Sequence, residues 1–280
     1  MVCLSKDQEN STLIIICFIS ISFDLLVILL SLLPKIFEPF TRNILINLSI
    51  NSILNNSLFL LGLNATGTLC VSISYLKTCQ LLPGVLWSSL IPQTLHSIFV
   101  QEKTLSQRPF KYCLLLSYLI IPIVFLLPFA TNNYDHKDFN CSGLDKHTTG
   151  IVWRFLLIYF PSVTIILRVL VYYAQLYKKL KNYQEFSCWS FILNRGLIYS
   201  IIYLLIFIQL TVSRIIELAS DSCYADLLLF SAICCIFMIG SFNAIATLIR
   251  KDVIRSILIS LKLKSRRDSD SDFVRDILNE

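Results

Sequence analysis

Seven long apolar runs, at residues 12–33, 44–63, 80–100, 112–130, 152–176, 196–216 and 225–249, constrain this chain more than any other feature. A helix needs roughly 20 apolar residues to cross the hydrocarbon core of a bilayer, and each run has about that length. Lipid offers no partners to backbone polar groups, so such runs fold as helices that bond internally. Composition agrees: 15% of the residues are charged, against about 25% in a soluble globular domain. The expected fold is all-α, a seven-transmembrane helix bundle, and the 280 residues leave little for a separate soluble domain.

The chain divides accordingly. Residues 1–11 form a polar N-terminus, 12–249 the seven-transmembrane helical domain, 250–264 a juxtamembrane segment and 265–280 a disordered cytoplasmic tail. Residues 1–10 are polar and the run at 13–33 is too long for the core of a signal peptide, so it reads as a retained first helix. In 250–264, Val253, Ile254, Ile257, Leu258 and Leu261 recur among Lys and Arg at near-helical spacing, which fits a short amphipathic helix on the inner leaflet. The tail beyond is polar and carries Ser269 and Ser271 between acidic residues.

Lys and Arg mark the two sides. Lys35, Arg42, Lys103, Arg108, Lys111, Lys178, Lys179, Lys181 and Arg195 fall in alternate connections, and the tail adds eight more from Arg250 to Arg275. The opposite side holds Lys6, Lys77, Lys137 and Lys146. Positive charge gathers on the cytoplasmic side. The C-terminus is therefore expected inside and the N-terminus outside, in a multi-pass protein of the plasma membrane. Glycosylation sequons at Asn10, Asn64 and Asn140 fall on the expected outer face. The net charge of +6 is dispersed between apolar runs, a pattern that favours a membrane flank over a nucleic-acid surface.

Of the ten cysteines, Cys3, Cys70, Cys79, Cys141 and Cys223 lie outside or near the outer surface, where disulfides persist. Cys79 stands at the start of the third run and Cys141 in the longest outer loop, so a Cys79–Cys141 bridge would pin that loop over the bundle mouth. The odd number of outer cysteines leaves other partners open. No cofactor, metal or catalytic arrangement emerges. His96, His136 and His147 lack ligand spacing, and no Walker A, H-E-x-x-H or G-x-S-x-G pattern occurs. An enzyme is not expected.

Charges within the runs are functional candidates because lipid makes them expensive. Asp24, Arg168, Arg214 and Glu217 qualify. Arg214 and Glu217 stand three residues apart and can also pair with each other. Trp153 and Arg154 open the fifth run, either as an interfacial anchor or as a pocket wall with a cation for an anionic ligand. Asn243, after Gly240, can bridge helices as a buried amide. Asn47, Asn51, Asn55 and Asn56 recur at helical spacing and are expected to face the interior.

Three stretches carry a family resemblance. They are Trp153-Arg154-Phe155 with Tyr159, Pro161, Tyr172-Tyr173 and the exit Leu176-Tyr177-Lys178-Lys179-Leu180-Lys181; Val212-Ser213-Arg214-Ile215; and Gly240-Ser241-Phe242-Asn243-Ala244-Ile245. In order and placement they resemble the fifth, sixth and seventh helices of the slime-mould cyclic AMP receptors and their relatives. The sixth run departs from that pattern, with Ile206, Phe207 and Ile208 where tryptophan and proline often stand.

The resemblance implies a heptahelical G-protein-coupled receptor with an outward-open pocket. Trp153, Arg154, Arg214, Glu217 and Asn243 are then candidate ligand-binding residues for an unassigned extracellular ligand. Lys178, Lys179, Lys181, Arg250, Lys251 and Arg255 become the contact for a heterotrimeric G protein. The rival reading is a small seven-helix membrane transporter, in which helices one to three are repeated as five to seven. The Pro92-Gln93 pair invites it, but no matching pair occurs in the later runs.

Overall fold

The computed structural model describes residues 6–33, 39–63, 65–102, 107–134, 141, 144 and 148–180, together with 205, 208, 209, 212, 230, 231, 233–238 and 241. Five spans are complete within these. Helices α1 (Lys6–Leu32), α2 (Pro39–Gly62) and α3 (Gly67–Phe99) form the first three. The fourth runs through α4 (Arg108–Leu115), a π turn at Leu116–Ile120, α5 (Ile121–Val124) and a 3-10 turn at Leu127–Thr131. The fifth joins α6 (Thr148–Arg154), a π turn at Phe155–Tyr159 and α7 (Phe160–Leu180). Most of the expected sixth and seventh spans, the juxtamembrane segment and the tail lie outside the described residues. Among the described residues there is no strand, only the isolated bridge between Tyr134 and Leu144.

The helices bury small polar residues and expose apolar ones, as a bundle in lipid must. Ser20, Ser31, Ser74 and Ser162 are fully buried, and Asp24 nearly so. Phe18, Leu29, Leu119, Ile123, Leu167 and Val171 face outward. Small residues at the interfaces let backbones approach closely. Helix α1 packs on α2, α2 on α3, and α3 on α7. The third span is the most buried of the five.

Two prolines shape the fourth and fifth spans. Pro122 directly follows one π turn by two residues, and Pro161 follows the other at the same distance. A proline has no N–H to donate and its ring clashes with the carbonyl four residues earlier, at Tyr118 and Leu157 here. A wider turn accommodates that clash. Tyr75 of α3 donates its hydroxyl to the Pro122 carbonyl at 2.9 Å, tying the third span to the fourth at this point.

The third span begins earlier than its apolar run. The sequence places its start at residue 80, whereas α3 starts at Gly67 and runs for 33 residues, about 50 Å at 1.5 Å per residue. Thr68, Ser72, Ser74, Lys77 and Thr78 interrupt the apolarity of its outer part but not its helicity. Ser72 and Thr78 return their hydroxyls to carbonyls four residues back. Lys77, expected in an outer connection, therefore lies within α3, with its ammonium 5.0 Å from the centre of the Phe59 ring.

The asparagines of α2 follow the expected pattern in part. Asn51 and Asn56 are buried, and Asn51 donates to the Gln80 carbonyl of α3 at 3.2 Å. Asn47 is half-buried and accepts from the Tyr118 hydroxyl of the fourth span at 2.9 Å. Asp24 of α1 sits among the hydroxyls of Ser52, Ser49 and Ser20. This places the intramembrane carboxyl in a polar seam between α1 and α2.

Candidate functional site

Two regions collect polar and aromatic side chains, one at each end of the bundle. At the end that the sequence reading expects outside, the connection after the fourth span folds back over it. Asn132 adopts a left-handed conformation (φ 50°) that turns the chain, which asparagine tolerates better than most residues. Tyr134 then enters the bundle and donates its hydroxyl to the Phe125 carbonyl at 2.6 Å. Burial raises its phenol pKa well above the usual range, so the group remains a neutral donor. Its ring packs with Phe129 and Tyr75, with centroids 4.6 and 5.9 Å away.

The loop and the turn leading into it are held at four further points. Cys141 is disulfide-bonded to Cys70 at the top of α3, with a Cα–Cα distance of 5.2 Å. Leu144 is buried, forms the bridge with Tyr134, and gives its carbonyl to the Arg154 guanidinium. Trp153 Nε1 donates to Thr131 Oγ1 at 2.9 Å, and Thr149 Oγ1 donates to Asn133 Oδ1 at 2.6 Å. Arg154 is thus 8% exposed and anchors the loop from below.

The Cys79–Cys141 pairing expected from the sequence does not form. Cys79 is a free, buried thiol packed with Leu82, Val85, Ile121 and Phe125. It lies nine residues after Cys70, about 13 Å further along the helix. A disulfide tolerates Cα separations of about 4.4–6.8 Å, so the loop reaches Cys70 and not Cys79. The early start of α3 is the reason: residue 70, not 79, stands at the N-terminal end of the third span.

At the opposite end, expected inside, the third and fifth spans meet along a polar seam. His96 is buried, donates Nε2 to Gln175 Oε1 at 2.5 Å, and stacks on Tyr172 with ring centres 4.6 Å apart. Arg168 donates Nε to the Tyr172 hydroxyl at 2.5 Å. Lys179 Nζ donates to the Val100 carbonyl at 3.2 Å and pairs with Glu102 Oε1 at 2.8 Å. The Lys179 ammonium holds the Glu102 carboxyl below its ordinary value of 4.5. The pair is therefore present at neutral pH and, on acidification, is lost as pH falls through that lowered value.

Of the ligand-binding candidates, Trp153 and Arg154 come together beneath the outer loop, while Arg214, Glu217 and Asn243 lie outside the described residues. Of the G-protein candidates, Lys178 is exposed and Lys179 is engaged by Glu102; Lys181, Arg250, Lys251 and Arg255 lie outside the described residues. Asn10 falls within α1, and Asn64 and Asn140 lie outside the described residues. Glu102 and Gln175 escaped the sequence reading, and Cys70 entered it only as one of the outer cysteines without an assigned partner. The steps from Arg168 to Tyr172, Gln175 and Lys179 are the signal that could have found the seam. Among the described residues no three of His, Cys, Asp and Glu come together as a metal site.

The sequence matches no protein-family model and no curated protein. The structure is similar to the crystal structure of squid rhodopsin, with a TM-score of 0.67 over 97% of this chain and 90% of that one, at 13% sequence identity. At that identity the likeness concerns the fold. Together with the five apolar spans, it makes the chain a multi-pass integral membrane protein with a rhodopsin-like helical fold.

Proposed function

We propose that the chain is a G-protein-coupled receptor that senses an extracellular ligand and activates a heterotrimeric G protein by rearranging its helix bundle. The observation that carries this reading is the likeness to squid rhodopsin across nearly the whole of both chains, since rhodopsin-like bundles are the fold of such receptors. The outer loop, fixed to α3 by the Cys70–Cys141 bridge, supports it. Such a loop covers one end of the bundle and leaves the other end to a cytoplasmic partner. In this reading Trp153 and Arg154 stand at the rim of the ligand site, and Arg214, Glu217 and Asn243 complete it from the sixth and seventh spans. Lys178, Lys181, Arg250, Lys251 and Arg255 present the cytoplasmic cations, joined by Lys179 once its pair with Glu102 parts. The N-terminus outside, the C-terminus inside and a plasma-membrane location belong to the same proposal, as does kinship with the slime-mould cyclic AMP receptors.

The test is G-protein dissociation in cells expressing the chain, across G-protein subtypes, with cyclic nucleotides and cell extracts as stimuli. A stimulated response that disappears when Lys178, Lys181, Arg250, Lys251 and Arg255 are replaced together by Ala, at equal surface expression, is the expected outcome. A chain at the surface that stays silent with every subtype and instead moves solute across the membrane would overturn the reading.

A further inference from the structure

The fifth span turns two adjacent stripes toward the third. Val169, Tyr173 and Leu176 are buried and pack on Leu95, Phe99 and Val100. Beside them Arg168, Tyr172, Gln175 and Lys179 follow one another at steps of four, three and four residues, the spacing of a single helix face. This second stripe is polar in a helix that is mostly apolar. Tyr172 stacks on His96, Gln175 accepts a hydrogen bond from His96, and Lys179 donates to Val100 and Glu102. An apolar stripe has little directional demand and tolerates sliding, whereas hydrogen bonds fix register.

Lys179 ends the stripe and answers two negative groups at once. One is the Glu102 carboxylate. The other is the Val100 carbonyl at the C-terminal end of α3, where helix carbonyls lack intrahelical partners and partial negative charge gathers. Topology alone would not select this residue. Positive-inside placement is indifferent between Lys178 and Lys179, but Lys178 stands about 100° round the helix from Lys179, off the stripe. The pair is also at the water's edge, with the Lys179 and Glu102 side chains 28% and 77% exposed. Exposed pairs are weak, which suits a contact that must part during function.

We propose that the Glu102–Lys179 pair, with Lys179 capping the end of α3, is an autoinhibitory latch that holds the inner ends of the third and fifth spans together at rest. The inference rests on the receptor reading for what the latch restrains, but its geometry can be tested without any G protein. Opening the latch frees Lys179 for a cytoplasmic partner and uncovers the apolar stripe beneath it.

The experiment uses the full chain in cells with Leu176→Cys as reporter, because Leu176 is only 1% exposed beneath the latch. Labelling of position 176 by a membrane-permeant maleimide is followed by peptide-resolved mass spectrometry, and basal G-protein dissociation is read in the same cells. Glu102→Lys and Lys179→Glu are each expected to raise the labelling rate and basal signal by about two- to fivefold, the factor an exposed ion pair supplies. The double variant Glu102→Lys with Lys179→Glu should return both toward the starting level. Lys178→Glu, the same charge change off the stripe, should leave labelling unaltered. Glu102→Gln provides a conservative variant that removes the charge with little change of shape. Labelling that does not rise in the single variants, or is not restored in the double, overturns the latch. Labelling that follows this pattern with no G-protein signal from any subtype leaves the latch standing and counts against the receptor reading.

Discussion

Two thiols of α3, Cys70 and Cys79, lie on the chain near enough to the outer surface to compete for Cys141, and depth decides between them. Cys70 is at the helix end and within disulfide reach, while Cys79 is in the core beside Leu82 and Phe125. The two assignments predict different thiol counts. Replacing Cys70 by Ala should release Cys141 as a new free thiol, visible as one added maleimide mass on the denatured, unreduced chain. Replacing Cys79 by Ala should remove one mass and leave the bridge intact. Losing the bridge should also lower stability by roughly 2–5 kcal/mol, read as a fall in melting temperature of the detergent-solubilised protein. A free thiol that appears instead on removing Cys79 would restore the original pairing. Arg154 carries a related lesson. Its residue type and position marked it as a cation for a ligand, but a buried guanidinium needs acceptors wherever it lies, and the Leu144 carbonyl provides one.

Helical elements were legible where apolarity and helicity coincide, and less so where they part. The first, second, fourth and fifth runs fall inside the helical spans 10–32, 42–62, 108–131 and 149–179 to within a few residues. The third also lies inside its helix but misses residues 67–79, because the N-terminal part of α3 is helical without being apolar. Ser72 and Thr78 satisfy their hydroxyls on carbonyls one turn back, so they need no water and do not break the helix. Nor does an apolar run reveal a π turn. The two found here are explained by Pro122 and Pro161, and this has a consequence for the outer site. In Pro161→Ala the clash with the Leu157 carbonyl disappears and the restored N–H favours a regular α-helix. Closing the π turn should rotate α6 relative to α7 by about 100°, one residue's worth of helix. Arg154 would then leave the Leu144 carbonyl, at a cost of about 1–3 kcal/mol for the buried group left unsatisfied. Pro83 lies in α3 without a π turn, so Pro83→Ala should change melting temperature less than Pro161→Ala. An equal change in both would mean that the π turn does not depend on Pro161.

On the scale of the whole molecule, the bundle was readable because lipid reverses the usual rule of burial. In the described spans Ser20, Ser31, Ser74, Ser162, Asn51, Asn56 and Asp24 turn inward beside the apolar core, while Phe18, Leu29, Leu119, Ile123, Leu167 and Val171 turn out to lipid. The seam between the third and fifth spans was not readable as a unit. Glu102 and Lys179 are 77 residues apart in sequence, and only the packing of α3 on α7 brings them together. Which face of the membrane the seam occupies follows from charge placement, and glycosylation tests it. With the N-terminus outside, Asn140, in the longest outer loop, should accept a glycan; Asn140→Gln should then abolish a mobility shift that endoglycosidase also removes. A tail epitope after Glu280 should bind antibody only in permeabilised cells. The two results stand or fall together, since a bundle with an odd number of spans must place its ends on opposite sides. If the tail epitope were reached in intact cells, Lys179 and Glu102 would face the exterior. The pair could then not restrain a cytoplasmic partner, and the Cys70–Cys141 bridge would lie in a reducing compartment where disulfides do not persist. The disulfide and the basic seam therefore favour the same orientation from opposite ends of the bundle, one by redox chemistry and the other by charge.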